Sequence, residues 1–555
     1  MGDGDPPGSG IAGQGSGGAA SSGSRRPAPL RGGGVMGGVN GRSMGERGRE
    51  IGAPVSGVAE EGGQVVVVEL GSLIDPADAC ARLRALPYPM LLESVARSGE
   101  AGRHSFLVCD PFLLVRSKDG RVEAKRGGGQ WRPVDGSGPD PFAVLQRLLS
   151  RFRMPSLPGL PPFQGGLAGY FGYDLLHHLE RVPAPAHDDL ALPDLFVGFY
   201  DWVLAWDHEA GRCVLVSTGL PFRGARARRR AVARARAVQR LLAEPGPDAR
   251  DRAARAFLEG DDAPPPPSTS PPRHPIPEFP GVRSTCSPDD FRRMVARTRD
   301  YILAGDLFQA NISHRLEVPW AGDPFELYLR VRASNPADFA AYLDLGPGAG
   351  AVVSASPERF LYVTGREVET RPIKGTLPRG RTPAEDAELA AALQASPKDR
   401  AENIMIVDLL RNDLSRVCED DSVQVEALCA LEHHPTVHHL VSIVTGRLRP
   451  DVDAVDLLRA AFPGGSITGA PKVRAMQVIA ELEPTRRGVY TGAVGYIGFD
   501  GGMDTNVAIR TMVVRRGVAY LQVGCGVVLD SDPDREYAES LAKARGLLAA
   551  LEACS

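Results

Sequence analysis

The stretch TGAVGYIGFDGGMDTNVAIRTMVVRRGVAYLQVGCGVVL, residues 491–529, holds three strand candidates in succession, at 491–499, 507–515 and 518–529. Each is rich in the β-branched and aromatic residues that suit a pleated, half-buried surface. No helical stretch separates them, so they read as long antiparallel strands rather than as the strand–helix alternation of a parallel sheet. A fourth candidate lies upstream at 351–363. An apolar helix near 397–415 interrupts the series and another near 536–552 closes it. The fold class these patterns give is α+β.

Further upstream, Ser287 and Pro288 form an N-cap and first-turn signal, followed by Phe291, Met294, Val295, Thr298 and Ile302 on one helical face and Gly305 as a stop. Just before it, DDAPPPPSTSPPRHPIPEFP (261–280) cannot sustain a helix or a central strand and marks the clearest boundary in the chain. Residues from Arg223 to about Gly260 are helical in propensity and heavy in arginine, and read as a solvated connecting helix. The N-terminal runs QVVVVEL (64–70), LLVRS (113–117) and VLAWD (203–207) suggest a strand-rich region. Residues 1–60 are mostly Gly, Ser, Ala, Pro and Arg and are expected to form a disordered tail. The expected division is therefore 1–60, 61–222, 223–284 and 285–552.

With 43% hydrophobic and 24% charged positions, the 555 residues have the make-up of a globular chain with more than one core, not of a fibrous or disordered one. A formal charge of −4 argues against general affinity for nucleic acid or anionic membrane. Eight cysteines without a C-x-x-C pair point to a reducing cytoplasm, and the absence of an apolar run near 18 residues argues against a membrane span.

Lys374 lies in TRPIKGTLPRG (370–380), too rich in Pro and Gly for regular helix. A loop lysine is usually a solvated charge, but one held near apolar groups can lose its proton and become a nucleophile. Sixteen residues earlier, SASPERF places Glu358 on or beside a strand, where a buried carboxyl would suit general acid work. In KDRAENIMIVDLLRND (398–413) the run 404–410 reads as apolar all round, predicting a buried helix with Glu402 at its polar end. Glu539 and Lys543 stand at i,i+4 on the last helix, a pairing that alone is an ordinary surface ion pair. If the two glutamates converge, they make an oxygen-rich site suited to Mg²⁺. The loops PGGSITGAPK (463–472) and VGCGVVLD (523–530) are able to present backbone N–H groups to a carboxylate, although the first is not a P-loop. EHHPTVHHL (432–440) is broken by Pro435 and lacks the spacing of a helical zinc motif.

PIKGTLPRG, DRAENIMIVDLLRNDLSRV, HHLVS, AFPGGSITGAPKVRAMQVIAELEP, RRGVYTGAVGYIGFDGGMDTNVAIRT and GCGVV, in this order over about 285–552, resemble the chorismate-binding enzyme family. The resemblance implies a two-layer α/β sandwich of large antiparallel sheets, which the N-terminal strands are free to join. It implies Mg²⁺ held by Glu402 and Glu539, with Tyr490, Arg510 and Gly526 around the substrate carboxylates, His439 and Ser466 near the ring, and Lys543 close to the anionic substrate. PYPMLLESVARSG (87–99) is similar to the family's N-terminal region, in which a serine, here Ser94, contributes to a tryptophan pocket. Position 374 discriminates. Anthranilate-forming members carry Ala there, whereas members that aminate chorismate at C4 carry Lys. The resemblance therefore implies aminodeoxychorismate synthesis, with Lys374 as nucleophile, Glu358 as acid, and ammonia from a separate glutamine amidotransferase subunit, since no cysteine here sits in a G-x-C-x-G elbow. The alternatives are an anthranilate synthase component and, from another class, an inactive chorismate fold used as an RNA-binding or scaffold protein through the Arg-rich helix.

Overall fold

In the strand Trp202–Asp207 every residue is buried, because successive side chains enter two different cores. Trp202, Leu204 and Trp206 pack with helices on one side, and Val203 and Ala205 face a second sheet on the other. This alternation builds the whole molecule. The computed structural model describes residues 64–552 apart from 72, 98, 100, 135–139, 244–269 and 435–436. All of these belong to one compact unit. The expected tail at 1–60 lies outside the described residues, as do 261–269 of the proline-rich stretch.

Two antiparallel sheets face each other, of thirteen and twelve strands among the described residues. The first runs in the order Val66–Glu69, Arg212–Ser217, Trp202–Asp207, His104–Val108, Met90–Glu93, Phe339–Asp344, Ala351–Ser356, Thr511–Arg515, Val518–Val527 and Gln309–Pro319, ending on short strands at Arg283–Ser284 and His274–Pro275. The second places Ile373–Pro378, Val437–Arg447, Glu367–Thr370, Arg359–Thr364, Met503–Val507 and Ala493–Gly498 beside Gly166–Phe171 and the remaining N-terminal strands. Phe106, Tyr170, Tyr200, Val352 and Tyr496 fill the space between the sheets. Helices including Pro288–Leu303, Pro324–Ser334 and Pro533–Glu552 cover the outside of the first sheet, while Pro141–Arg151, Pro397–Ser415 and Ala454–Ala461 cover the second. The expected α+β sandwich of large antiparallel sheets is therefore present. Strands from before and after the proline-rich stretch share both sheets.

Ser287 caps its helix with a reciprocal capping box to Asp290, as its sequence context predicts. Three expectations need correction. The strand candidates 351–363 and 507–515 are each two strands in different sheets, because the chain crosses from one sheet to the other at Pro357–Glu358 and again at Ala508–Arg510. The helix Pro397–Ser415 is not buried all round. Ile406, Val407 and Leu410 pack inward, but Ile404 is 46% exposed and Asp408 shares that outer face, since only one side meets the sheet. The Arg-rich helix, Gly224–Ala243 among the described residues, is not merely solvated. Arg230 bonds the fully buried Asp201 at 2.6 Å, and Arg234 pairs with Asp110. No helix among the described residues is long and apolar enough to cross a membrane.

Candidate active site

The two crossovers lie side by side and carry two of the expected site residues. Ser356 ends its strand by donating its hydroxyl to the carbonyl of Val507 at 2.6 Å, and the Val507 N–H donates to the Glu358 carbonyl at 3.0 Å. The Ala355 N–H in turn donates to the Arg510 carbonyl at 3.0 Å, with Arg510 held at φ +48°. Both kinks are thus fixed by backbone bonds, which leaves their side chains free for chemistry. Glu358 is 4% exposed, and burial pushes its carboxyl up to about 7, against the opposing pull of a Ser466 hydrogen bond and the Lys374 charge. A carboxyl so placed holds its proton near neutral pH and has a basic neighbour. Arg510 has no carboxylate partner among the described residues, and burial lowers its pKa. A half-buried guanidinium with no carboxylate beside it suits an anion.

Lys374 sits in a β-bulge. Ile373 pairs with Val441 and Thr376 with His439, so Lys374 and Gly375 together oppose one residue of the neighbouring strand. The bulge turns the lysine away from the ladder. Gly375, at φ +88°, is required because a Cβ there would come within 2.9 Å of Asp399. Burial pulls the Lys374 ammonium below the usual lysine range, while the Glu402 and Glu358 carboxylates oppose it.

Glu402, in the first turns of Pro397–Ser415, and Glu539, on Pro533–Glu552, both interact with Lys374 and with each other. Burial raises Glu402, against Lys374 and Lys398. Burial would raise Glu539 too, but Lys543 at 2.9 Å overcomes it and holds the carboxyl low. Lys543 also donates to the Gly524 carbonyl at 3.0 Å, which ties this helix to the Gly-rich strand end. The Glu539 and Lys543 side chains are about half exposed, at 48% and 43%. The donor set is two carboxylates, chemistry that suits a hard cation retaining several waters.

On strand Val518–Val527, Gly526 faces Asn311, and a Cβ there would lie 2.2 Å from the Gln309 amide nitrogen and 3.6 Å from the Lys374 Nζ. Gly526 therefore permits close approach of a ligand and of these side chains. His439 is buried, its Nδ1 2.8 Å from the Thr376 hydroxyl, and burial together with the nearby charges lowers its pKa to about 3, which keeps the ring neutral. Tyr490 is buried, with the Asn311 side chain beside it. Ser466 lies on the short turn Gly465–Ile467 and bonds Glu358. The structure thus brings together Glu358, Lys374, Glu402, Glu539 and Lys543 in one neighbourhood, with Ser466 and Gly526 against its members. Among the described residues, no three His, Cys, Asp or Glu side chains form a protein-only metal cage. His433, His438 and Asp386 form a hydrogen-bonded chain of 2.8 and 2.9 Å instead.

Gln309 escaped the sequence reading. It is 2% exposed, its Oε1 has no hydrogen-bond partner, and its place is set by a strand whose sequence carries no signal for it. Ser94 stands apart from the Lys374 cluster. Its hydroxyl donates to the Asp338 carbonyl at 2.7 Å at the edge of a cavity of about 300 Å³ between the sheets, lined also by Glu93, Phe106, Arg359 and Tyr496.

A profile described as chorismate binding enzyme matches residues 111–549. The aminodeoxychorismate synthase component 1 of Escherichia coli K12 is 38% identical over 473 residues, 85% of this chain and 95% of that protein. The anthranilate synthase component 1 of Streptomyces coelicolor is 41% identical over 461 residues, 83% of each. Among solved structures, anthranilate synthase component I of Streptococcus pneumoniae superposes with a TM-score of 0.66 at 32% identity, covering 80% of this chain and 92% of that one. The Escherichia coli menaquinone-specific isochorismate synthase MenF shares the fold at a TM-score of 0.62 and 17% identity, covering 88% and 94%.

Proposed function

The chain belongs to the chorismate-binding enzyme family, and from that premise we propose that it is the aminodeoxychorismate synthase member, converting chorismate and ammonia to 4-amino-4-deoxychorismate for 4-aminobenzoate and folate synthesis. The observation that carries this reading is Lys374. It is turned out of its ladder by a bulge, has a lowered pKa, and shares a neighbourhood with the proton-holding Glu358.

In this mechanism the neutral Lys374 amine forms a bond to C2 of chorismate. Both ring double bonds shift, from C1–C2 and C5–C6 to C1–C6 and C4–C5, the C4–O bond breaks, and Glu358 gives its proton to the departing hydroxyl, which leaves as water. Ammonia then bonds to C4, both double bonds return, the C2–N bond breaks to release the neutral Lys374 amine, and the proton shed by the new C4 ammonium restores Glu358. Arg510, Tyr490 and the backbone at Gly526 receive the substrate carboxylates. His439, neutral and oriented by Thr376, stands near the ring with Ser466, while Lys543 adds positive charge. Mg²⁺ fits the Glu402 and Glu539 carboxylates, and when bound it would offset the charge of the ring carboxylate. Ammonia is supplied by a separate glutamine amidotransferase subunit, in keeping with the component 1 names of the relatives. The cavity beside Ser94 takes tryptophan in the same reading.

The 41% identity to an anthranilate synthase component supports a second reading, anthranilate formation at the same site. Incubation with chorismate, Mg²⁺ and ammonia followed by mass spectrometry separates the two, since only 4-amino-4-deoxychorismate retains the enolpyruvyl group. Anthranilate as the product would overturn the proposal.

A further inference from the structure

Behind the substrate-facing residues lies a buried ion pair, Glu483 with Arg487, each side chain 1% exposed and 2.6 Å apart. Arg487 makes five hydrogen bonds. Its Nε and Nη2 donate to the two Glu483 oxygens at 2.9 and 2.6 Å. The Nη2 also donates to the Asn311 carbonyl at 2.6 Å, and the Nη1 to the Ile467 carbonyl at 3.1 Å and to the Thr491 hydroxyl at 3.2 Å. Glu483 in turn accepts from the Ser313 N–H and hydroxyl at 2.8 and 2.7 Å.

The three segments joined at this guanidinium are separate in sequence. Each abuts a residue of the proposed substrate site: Asn311 pairs with Gly526, Ile467 follows Ser466, and Thr491 follows Tyr490. The Arg487 guanidinium also lies 5.6 Å from the Tyr490 ring centre and 4.7 Å from that of Tyr173. Thr491 is a β-branched residue at φ +61°, a conformation such residues rarely adopt unless the surroundings impose it. Its N–H donates to the Ala508 carbonyl at 2.9 Å and its hydroxyl to the Tyr490 carbonyl at 2.6 Å.

We propose that Arg487, oriented by Glu483, is a positioning residue that fixes Tyr490, the Ser466 turn and the Asn311–Gly526 strand pair as one rigid receptor for the substrate, its carboxylates and its ring. The inference rests on the assignment of Tyr490, Ser466 and Gly526 to substrate binding. A lysine at 487 would keep the charge that Glu483 requires, but with one of its three donors given to Glu483 it has too few left for all three segments.

The test measures KM and kcat for chorismate, with ammonia as co-substrate, in Arg487→Lys, Thr491→Gly, Thr491→Ser and Tyr490→Phe, alongside thermal unfolding of each. Glycine accepts the φ of Thr491 but loses the hydroxyl, so Thr491→Gly is suited to fold where changes to the ion pair fail. Positioning predicts that Thr491→Gly and Arg487→Lys raise KM by ~10- to 100-fold, the scale of a misplaced binding group, with kcat changed less and with Thr491→Ser restoring KM. A folded Thr491→Gly variant with unchanged KM overturns the proposal, whatever its melting temperature. A Tyr490→Phe variant with unchanged KM would instead overturn the assignment on which the proposal rests.

Discussion

Replacing Glu358 with glutamine should make the protein more stable and nearly inactive, and both effects follow from one number. The carboxyl titrates at about 7 instead of 4.5 because it is buried. A difference of about 2.5 in pKa at ~1.4 kcal/mol each disfavours the buried carboxylate by ~3 kcal/mol. Below about pH 4.5 the folded and unfolded chains both carry the proton, and the shift contributes nothing. Between about 4.5 and 7 only the unfolded chain ionises, so stability falls as pH rises, and above about 7 the full ~3 kcal/mol is lost. Glutamine is neutral throughout and of similar shape, so the variant escapes this loss. Urea unfolding of Glu358→Gln and wild type at pH 5 and pH 8.5 should show the stability difference moving by ~2–3 kcal/mol in favour of the variant. In the same samples kcat/KM should fall by ~10²- to 10⁴-fold, the usual worth of a general acid. The decline of wild-type activity above about pH 7 should vanish from the variant's residual rate. A stability difference equal at both pH values, or a variant that keeps that alkaline decline, would refute the reasoning.

Lys374→Ala should lower C4 amination by ~10³-fold or more, as expected for loss of a nucleophile, and leave anthranilate-type product or none by mass spectrometry. Glu402→Gln and Glu539→Gln should each raise the Mg²⁺ concentration for half-maximal rate by at least ~10-fold, as read from a metal titration at saturating chorismate. Gly526→Ala should raise KM for chorismate by ~10-fold or more with the fold intact by circular dichroism, because the added methyl displaces the flexible Gln309 amide rather than backbone.

Much of the scaffold is visible before any coordinates. The Ser287 cap, the strands at 493–498 and 518–527 and the closing helix stand close to their sequence signals, since each depends on local periodicity and capping. The crossovers were hidden for the opposite reason. Residues 351–363 and 507–515 are rich in apolar and β-branched side chains on both sides of Pro357–Arg359 and of Arg510, so periodicity alone reads each as one strand and misses the kink at which it changes sheets. The bulge at Lys374 was equally invisible, because it depends on register against Val437–Arg447 and not on the residues around it. For the same reason Glu539 and Lys543, which on their own helix look like a surface pair, gain meaning only where that helix comes near Lys374. Arg487 carried no local mark either, since its partners lie as far away as Asn311.

The bulge bears on how such enzymes diverge. A residue inside a regular ladder cannot change freely, for its side chain packs against neighbours on both strands. Lys374 occupies the surplus position of a two-against-one pairing on an edge strand, so its replacement leaves the hydrogen-bond register intact. On the proposed role of Lys374, a lineage could exchange one product for another there with little penalty to folding. Selection acting on this position would then be chiefly metabolic.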